Sequence, residues 1–245
     1  MRLRILLPLA GLVAFVAALV ATFPARVAVA WFAPPQVQAW GVEGSLWNGR
    51  AEAVAVSGAG IGGLEWSLHP MSLLTLNPAA DIRITRRDGF ASARVASSLS
   101  GETVQVSGLE AAVALGTLPR RLVPDGVAGQ LSAQFPDLRL EKGWPTRAAG
   151  RIAVADLQLP GVILTLGPLE FVFAGDTDTP AADVRSAGGP LAVEGTLVLP
   201  EPGRWSLDVL LAPGENPPRE LVEGLAYVGE AAPGGGRRLQ LSGEI

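Results

Sequence analysis

Beyond residue 40 the chain is written in short runs of alternating polar and apolar residues, each bounded by Gly or Pro. A two-residue period puts one set of side chains on a buried face and the other towards water. The pattern therefore constrains the chain to strands rather than helices. The runs are Ala51–Val56, Leu64–Leu68, Asp81–Thr85, Ala91–Ser97, Thr103–Leu109, Gly126–Phe135, Gly150–Leu159, Leu169–Ala174, Leu191–Leu199, Trp205–Leu211 and Arg238–Ile245. Their spacing, often about 10–20 residues, is that of an all-β chain with hairpin connections. The 30 glycines and 20 prolines supply the punctuation. A Gly followed by polar–apolar alternation recurs at Gly129, Gly150, Gly195 and Gly243, which suggests one strand type reused along a sheet. Ala53–Val56 and Leu169–Phe173 are apolar on both faces and call for cover on both sides. Helical signals are few. Pro218–Val228 would place Leu221, Val222, Leu225 and Val228 on one face, with Gly229 at its end. Thr117–Leu122, with Thr117 as N-cap, and Met71–Leu76 are shorter candidates.

Charge divides the chain. The first acidic residue is Glu43, and the 42 residues before it carry only Arg2, Arg4 and Arg26. The remainder holds 16 basic and 23 acidic residues, a net −7. Within the basic front, Ile5 to Phe23 is nineteen residues without a charge. As a helix it would span about 28 Å, the thickness of a bilayer's hydrocarbon core. Arg2 and Arg4 favour a cytoplasmic N-terminus, and Trp31 and Phe32 stand where interfacial anchors sit. Ala28-Val29-Ala30 offers the competing reading of a cleaved signal peptide, but the apolar run exceeds a typical signal core and Arg26 separates it from that site. Either reading exports the rest of the chain. The Ala/Gly/Arg-rich, Lys-poor usage suggests a bacterial source, and hence the periplasm.

The usual instruments of chemistry are scarce. There is no Cys and one His, which excludes a disulfide framework, thiolate chemistry and metal sites built on several His or Cys. A net charge of −4 argues against a nucleic-acid binder. Gly58, Gly60 and Gly63 satisfy G-x-G-x-x-G, but the residues after them alternate like a strand and end in Pro70, so they read as a hairpin connection. Asp176, Asp178 and Asp183 lack the fuller calcium-loop pattern and read as a solvated turn. Arg86-Arg87 and Arg120-Arg121 read as solvated basic pairs. His69 in an X-Pro pair at a strand end reads as structural or solvated. Trp47 and Trp66 are expected in the core, and Trp144, in a Gly-Trp-Pro turn, as an exposed or edge anchor.

The stretch Gly44-Ser45-Leu46-Trp47-Asn48-Gly49-Arg50-Ala51, followed by Gly63-Leu64-Glu65-Trp66-Ser67-Leu68-His69-Pro70, resembles the N protein family of the bacterial type II secretion system. Gly143-Trp144-Pro145 before Gly150, Leu225-Ala226-Tyr227-Val228-Gly229, Gly235-Gly236-Arg237 and Leu241-Ser242-Gly243 are similar too, in the same order. The resemblance implies a mainly β fold. An N-terminal transmembrane helix would be followed by an elongated, curved, mostly antiparallel sheet, an AsmA-like groove or half-barrel, with one or two short helices. It implies a cytoplasmic tail at 1–4, a transmembrane helix at 5–23, a juxtamembrane linker at 24–40 and a periplasmic β domain at 41–245. It implies an accessory, non-enzymatic inner-membrane component that helps export folded proteins across the outer membrane. Its partners would be other secretion components and inner-membrane lipids, with no cofactor, metal, nucleic acid or small-molecule substrate. Gly44, Leu46, Trp47, Gly49, Trp66, Leu68 and Pro70 are the motif residues so identified, for structure or interaction. Two further readings stand beside this one: a periplasmic lipid-binding or lipid-bridging groove, suggested by the surplus of apolar strand positions, and an envelope enzyme around His69.

Overall fold

Alternation becomes sheet nearly everywhere the sequence places it. The structure is a computed structural model and describes residues 15, 18–118, 123, 125–158, 165–177, 179–233 and 235–244. It is mainly β with a few short helices. In chain order the elements are helix α1 (Ala25–Phe32), β1 (Val37–Trp40), β2 (Glu43–Gly44), β3 (Asn48–Val56), β4 (Ala59–Leu68), α2 (Pro70–Leu74) and β5 (Ala79–Arg86). Then come β6 (Gly89–Ser97), β7 (Thr103–Ala114), a 3-10 turn (Leu115–Thr117), β8 (Ala128–Glu141), β9 (Trp144–Gln158), β10 (Thr165–Leu166), β11 (Leu169–Ala174) and β12 (Ala181–Ser186). The chain ends with β13 (Leu191–Val198), β14 (Arg204–Pro213), α3 (Arg219–Leu225), β15 (Glu230–Ala231) and β16 (Arg237–Glu244). Most of the nineteen-residue apolar run lies outside the described residues; residues 18–21 of it are helical. Among the described residues no helix is long and apolar enough to cross a membrane.

The chain divides into two compact units, residues 1–87 and 88–245. In the first, β1, β3, β4 and β5 are antiparallel neighbours in that order, and β2 pairs with the start of β3. The G-x-G-x-x-G glycines fall in and beside the β3–β4 hairpin, as the alternation after them requires. One face of this sheet carries Gly49–Trp66–Ile82 and Ala51–Leu64–Ile84 in register; the other carries Arg50–Glu65–Arg83. Ala25 and Ala28 of α1 are buried, and α1 packs against β2 and β3.

In the second unit, β6-β7-β8-β9-β11-β12-β13-β14-β16-β15 follow one another, all antiparallel. One cross-strand row runs Ala91, Ala111, Ala133, Ile152, Phe171, Val184, Gly195, Val209, Leu239 without a polar side chain. This is the core face. Its row mates on the other face include Gln134–Arg151, Glu170–Arg185 and Asp208–Gln240, the solvated half of the same period. Two clusters fill the core face. One gathers Ala133, Phe135, Ala148, Phe173 and Ala182, with the Phe135 and Phe173 rings tilted at 5.6 Å. The other gathers Val184, Leu191, Val193, Val209 and Leu211 under Leu225 of α3. No large side chain among the described residues is completely buried, so the cores are one layer deep.

Several expectations need correction. Most of the Thr117–Leu122 candidate, residues 119–122, lies outside the described residues; Thr117, expected as its N-cap, closes a 3-10 turn (Leu115–Thr117), and its hydroxyl donates back to the Ala114 carbonyl. α3 forms where expected, but Val222 is 43% exposed, because the seven-residue helix packs only Leu221 and Leu225 against the sheet. Gly229 does take a left-handed φ of +57°, and Arg237 donates to the Val228 and Gly229 carbonyls at 2.8 Å each, closing the turn. The sheet also contains β1, β12 and the two-residue strands β2, β10 and β15, for which the alternating pattern gives no signal. Gly129, Gly195 and Gly243 lie inside strands as their runs place them, and Gly150, expected to begin a strand, lies within β9, which starts earlier, at Trp144.

On the polar face Arg238 donates to both Asp208 carboxylate oxygens (Nε–Oδ1 at 2.8 Å, and Nη2–Oδ2), and Gln240 adds a third bond (2.9 Å), tying β16 to β14. The Arg238 and Gln240 donors hold the Asp208 carboxyl at about 2, below its ordinary 3.8. A depressed carboxyl contributes stability that is complete above its unfolded pKa and is lost as pH falls through the folded one. Asp208→Asn is therefore expected to lower β14–β16 hydrogen-exchange protection modestly at neutral pH, where the carboxylate's contribution is complete, and to flatten its pH dependence between about pH 4 and 2, where the parent loses that contribution.

Candidate functional site

The residues singled out by the G-S-L-W and W-x-L-x-P boxes converge at one end of the first unit's sheet. The turn between β2 and β3 is built by Ser45 and Asn48. The Ser45 amide donates to the Asn48 carbonyl (2.8 Å), and the Asn48 amide returns a bond to Ser45 Oγ (3.1 Å). The Ser45 hydroxyl thus satisfies the turn's own backbone, which is why serine marks turns. Gly44 opens the turn with φ +89°, and a Cβ there would stand 2.4 Å from the Asn48 carbonyl oxygen. Only glycine fits that combination.

The turn grips the chain where the apolar run ends. Trp47 Nε1 donates to the Val20 carbonyl at 2.8 Å, the Leu46 amide donates to the Phe23 carbonyl at 2.8 Å, and Pro24 bridges Ser45. Four carbonyls at a helix's end have no partner within the helix; the Trp47 indole and the Leu46 amide here meet some of that demand. Trp66, on β4, braces the turn from behind. Its Nε1 donates to the Leu46 carbonyl at 3.0 Å, and its ring lies over Gly49, so close that a Cβ would come within 2.3 Å of it. The neighbouring strand's aromatic ring thus covers the glycine and fills the space its missing side chain leaves. Ser67 donates to Asn48 Oδ1 (2.7 Å), and the Leu68 amide donates to the Trp47 carbonyl (2.6 Å). Both tryptophans are half-buried with indoles bonded to backbone, so they serve as braces as well as packing.

Around this clamp lie the other singled-out residues. Trp31 and Phe32, at the end of α1, are 71% and 74% exposed, and the Trp31 ring stands 6.0 Å from that of Phe23. Pro70 is the first residue of α2, where its missing N–H costs nothing. His69 precedes it and bonds Asp81 (Nε2–Oδ2, 2.8 Å). Asp81, twelve residues on, is a carboxylate partner that only the β4–β5 pairing brings beside it. Both side chains are about two-fifths exposed, and the pair ties the base of the 69–81 loop rather than lining a deep pocket. Among the described residues no group of three His, Asp or Glu stands together as a metal site; Asp178 lies outside them. In the second unit Trp144, expected as an exposed or edge anchor, is half-buried at the start of β9. It lines a cleft of about 400 Å³ with Pro145, Pro180, Pro200 and Glu201.

Comparison with known proteins bears on what this arrangement is for. The family model described as type II secretion system, protein N, matches residues 35–240, which include both boxes and most of the sheet. The chain belongs to that family. It is 26% identical over the full length of both chains to the type II secretion system protein N of Aeromonas hydrophila. It is 29% identical, over 84% of each chain, to that of Vibrio cholerae serotype O1. No solved structure matches it.

Proposed function

We propose that the chain is an accessory component of the type II secretion system that works by protein–protein contact. Residues 5–23 hold it in the bacterial inner membrane, and its β domain, 41–245, stands in the periplasm. Family membership supports the secretion role. The observation that carries the anchored reading is the clamp. Trp47 and Leu46 bond the carbonyls of Val20 and Phe23, so whatever holds the apolar run holds the sheet at a fixed distance and orientation. A flexible tether would need no such bonds. Cross-linking in cells followed by purification of the chain from membranes is expected to recover other secretion components, and its deletion to lower the export of secreted proteins. Recovery of none, with export unchanged, refutes the proposal.

A second reading rests on the core face of the second unit. Ala91, Ala111, Ile152, Phe171 and Leu239 of its apolar row remain only half-buried, and Leu241 at the β16 end is 44% exposed. Such a face suits acyl chains. Native mass spectrometry of the purified chain separates the readings: a co-purifying lipid favours this one, and its absence leaves the first.

A further inference from the structure

The loop between β4 and β5 has a surface of the wrong kind for water. Met71 is 75% exposed, Leu73 45% and Leu76 62%. No charged residue occurs between His69 and Asp81, and those two bond each other at the loop's base. The loop is ordered rather than loose. The His69 amide bonds the Ala79 carbonyl, the Ser72 hydroxyl donates to the His69 carbonyl (2.6 Å), and the Ala79 amide donates to Ser72 Oγ (2.9 Å). A well-held loop that still presents three large apolar side chains has been given an apolar surface to meet.

Leu76 sharpens this. The Leu76 amide bonds the Leu73 carbonyl and the Asn77 amide bonds the Ser72 carbonyl, the paired closure of a Schellman motif. That motif needs a left-handed residue at its centre, and Leu76 has φ +59°. Glycine fills this position without strain, whereas a leucine there is an outlier. Here a leucine takes the strained position and projects into solvent. Its packing within the fold does not account for it, so its use lies outside the fold.

The loop's place names the occupant. It begins where β4 ends, and the Leu68 amide bonds the carbonyl of Trp47, whose indole bonds Val20. The exposed leucines and methionine are therefore held at the end of the sheet where the apolar run leaves it, the same end to which the Phe23–Trp31 contact belongs. We propose that α2 and Leu76 lie in the interfacial layer of the membrane that the N-terminal run enters, with Met71, Leu73 and Leu76 at the boundary of headgroups and acyl chains. This rests on the reading of residues 5–23 as a membrane anchor. It gives the first unit a second point of attachment, which restrains it from pivoting about a single helix. Amphipathic elements of this kind sit about 5–10 Å into the interface.

The absence of cysteine makes the test clean. Single variants Val13→Cys, Ala59→Cys, Met71→Cys and Leu76→Cys of the full chain are labelled with an environment-sensitive fluorophore. They are reconstituted in vesicles of phosphatidylethanolamine and phosphatidylglycerol carrying quenchers at shallow or deep positions. Ala59 starts β4, at the opposite end of that strand from the clamp, and serves as the water reference. The Met71 and Leu76 probes are expected to shift to the blue and to lose more emission to the shallow quencher than to the deep one. The Val13 probe should show the reverse preference, and the Ala59 probe should respond to neither. Met71 and Leu76 probes that match Ala59 while Val13 is quenched overturn the proposal and leave the anchor standing. A blue shift at Met71 without quenching means that protein, a second copy or a partner, covers the loop, and also overturns it. A Val13 probe that no lipid quencher reaches removes the anchor and the proposal together. Leu76→Gly supplies the structural control. It is expected to unfold no earlier than the parent while weakening the quenching at Met71. Lower stability with unchanged quenching shows a purely structural leucine and counts against the proposal.

Discussion

Gly49→Ala is expected to destabilise the first unit by about 1–3 kcal/mol, the range for forcing a methyl into a filled space. The Cβ would arrive 2.3 Å from the Trp66 ring, and the ring is not free to leave, since its indole is bonded to the Leu46 carbonyl. Trp66→Ala removes the ring itself and strands that carbonyl. Half-buried, it falls at the low end of the tryptophan-to-alanine range, about 3 kcal/mol. The two losses share one cause, so they do not add: once Trp66 is alanine, a methyl at position 49 meets no ring. The double variant is expected to be no less stable than Trp66→Ala alone, giving an interaction energy near the whole cost of Gly49→Ala. Hydrogen exchange of the β3 and β4 amides reads this locally and avoids treating two units as one transition. Independent, additive losses would show that the ring and the glycine are not a unit. The Trp47–Val20 bond depends on the same turn, so amides at residues 20–23 should lose protection in both single variants.

The sheet was legible because its signal is local. Polar–apolar alternation and Gly or Pro boundaries located most of the strands, including the hairpin that G-x-G-x-x-G would have disguised as a nucleotide loop. The misses have local causes too. β12 reads Ala-Ala-Asp-Val-Arg-Ser, whose buried members are the small Ala182 and Val184, and it follows a polar stretch that looks like solvated loop. β1 is four residues beside two prolines, too short for a period to emerge. Val222 was placed on the buried face by a helical stripe wider than a seven-residue helix can bury.

The site was legible only in part. The boxes named the tryptophans and glycines. The pairing of Gly49 with Trp66 becomes visible only through strand register, and Trp47's bond to Val20 spans 27 residues and ends on a backbone carbonyl. Any residue at position 20 would offer the same carbonyl, so no side-chain signal could mark it. The exposed loop was visible as a candidate turn at Met71–Leu76. Its meaning came from exposure and from the left-handed Leu76, which a sequence does not print.

Leu225→Ala is expected to cost about 2–5 kcal/mol and to release α3 from the second unit. Leu225 is 7% exposed and rests on Val184, Leu191, Val193, Val209 and Leu211, so truncation leaves a hole that a sheet held by its ladders cannot close. Seven residues are too few to stay helical alone, so the helix exists only while packed. Its amides should then exchange at solvent rates, and a dye that reports apolar surface should bind the uncovered face. Leu225→Met preserves volume and should cost less than about 1.5 kcal/mol without dye binding. The strands beneath keep antiparallel neighbours on both sides and should stay protected, because their hydrogen bonds do not pass through α3. That contrast decides how the apolar face is used. Loss of α3 alone would mean that the cover is separable from the sheet, as a face that admits acyl chains requires. Loss of β12–β14 with it would make α3 part of an indivisible core and leave docking through protein contact as the work of this unit.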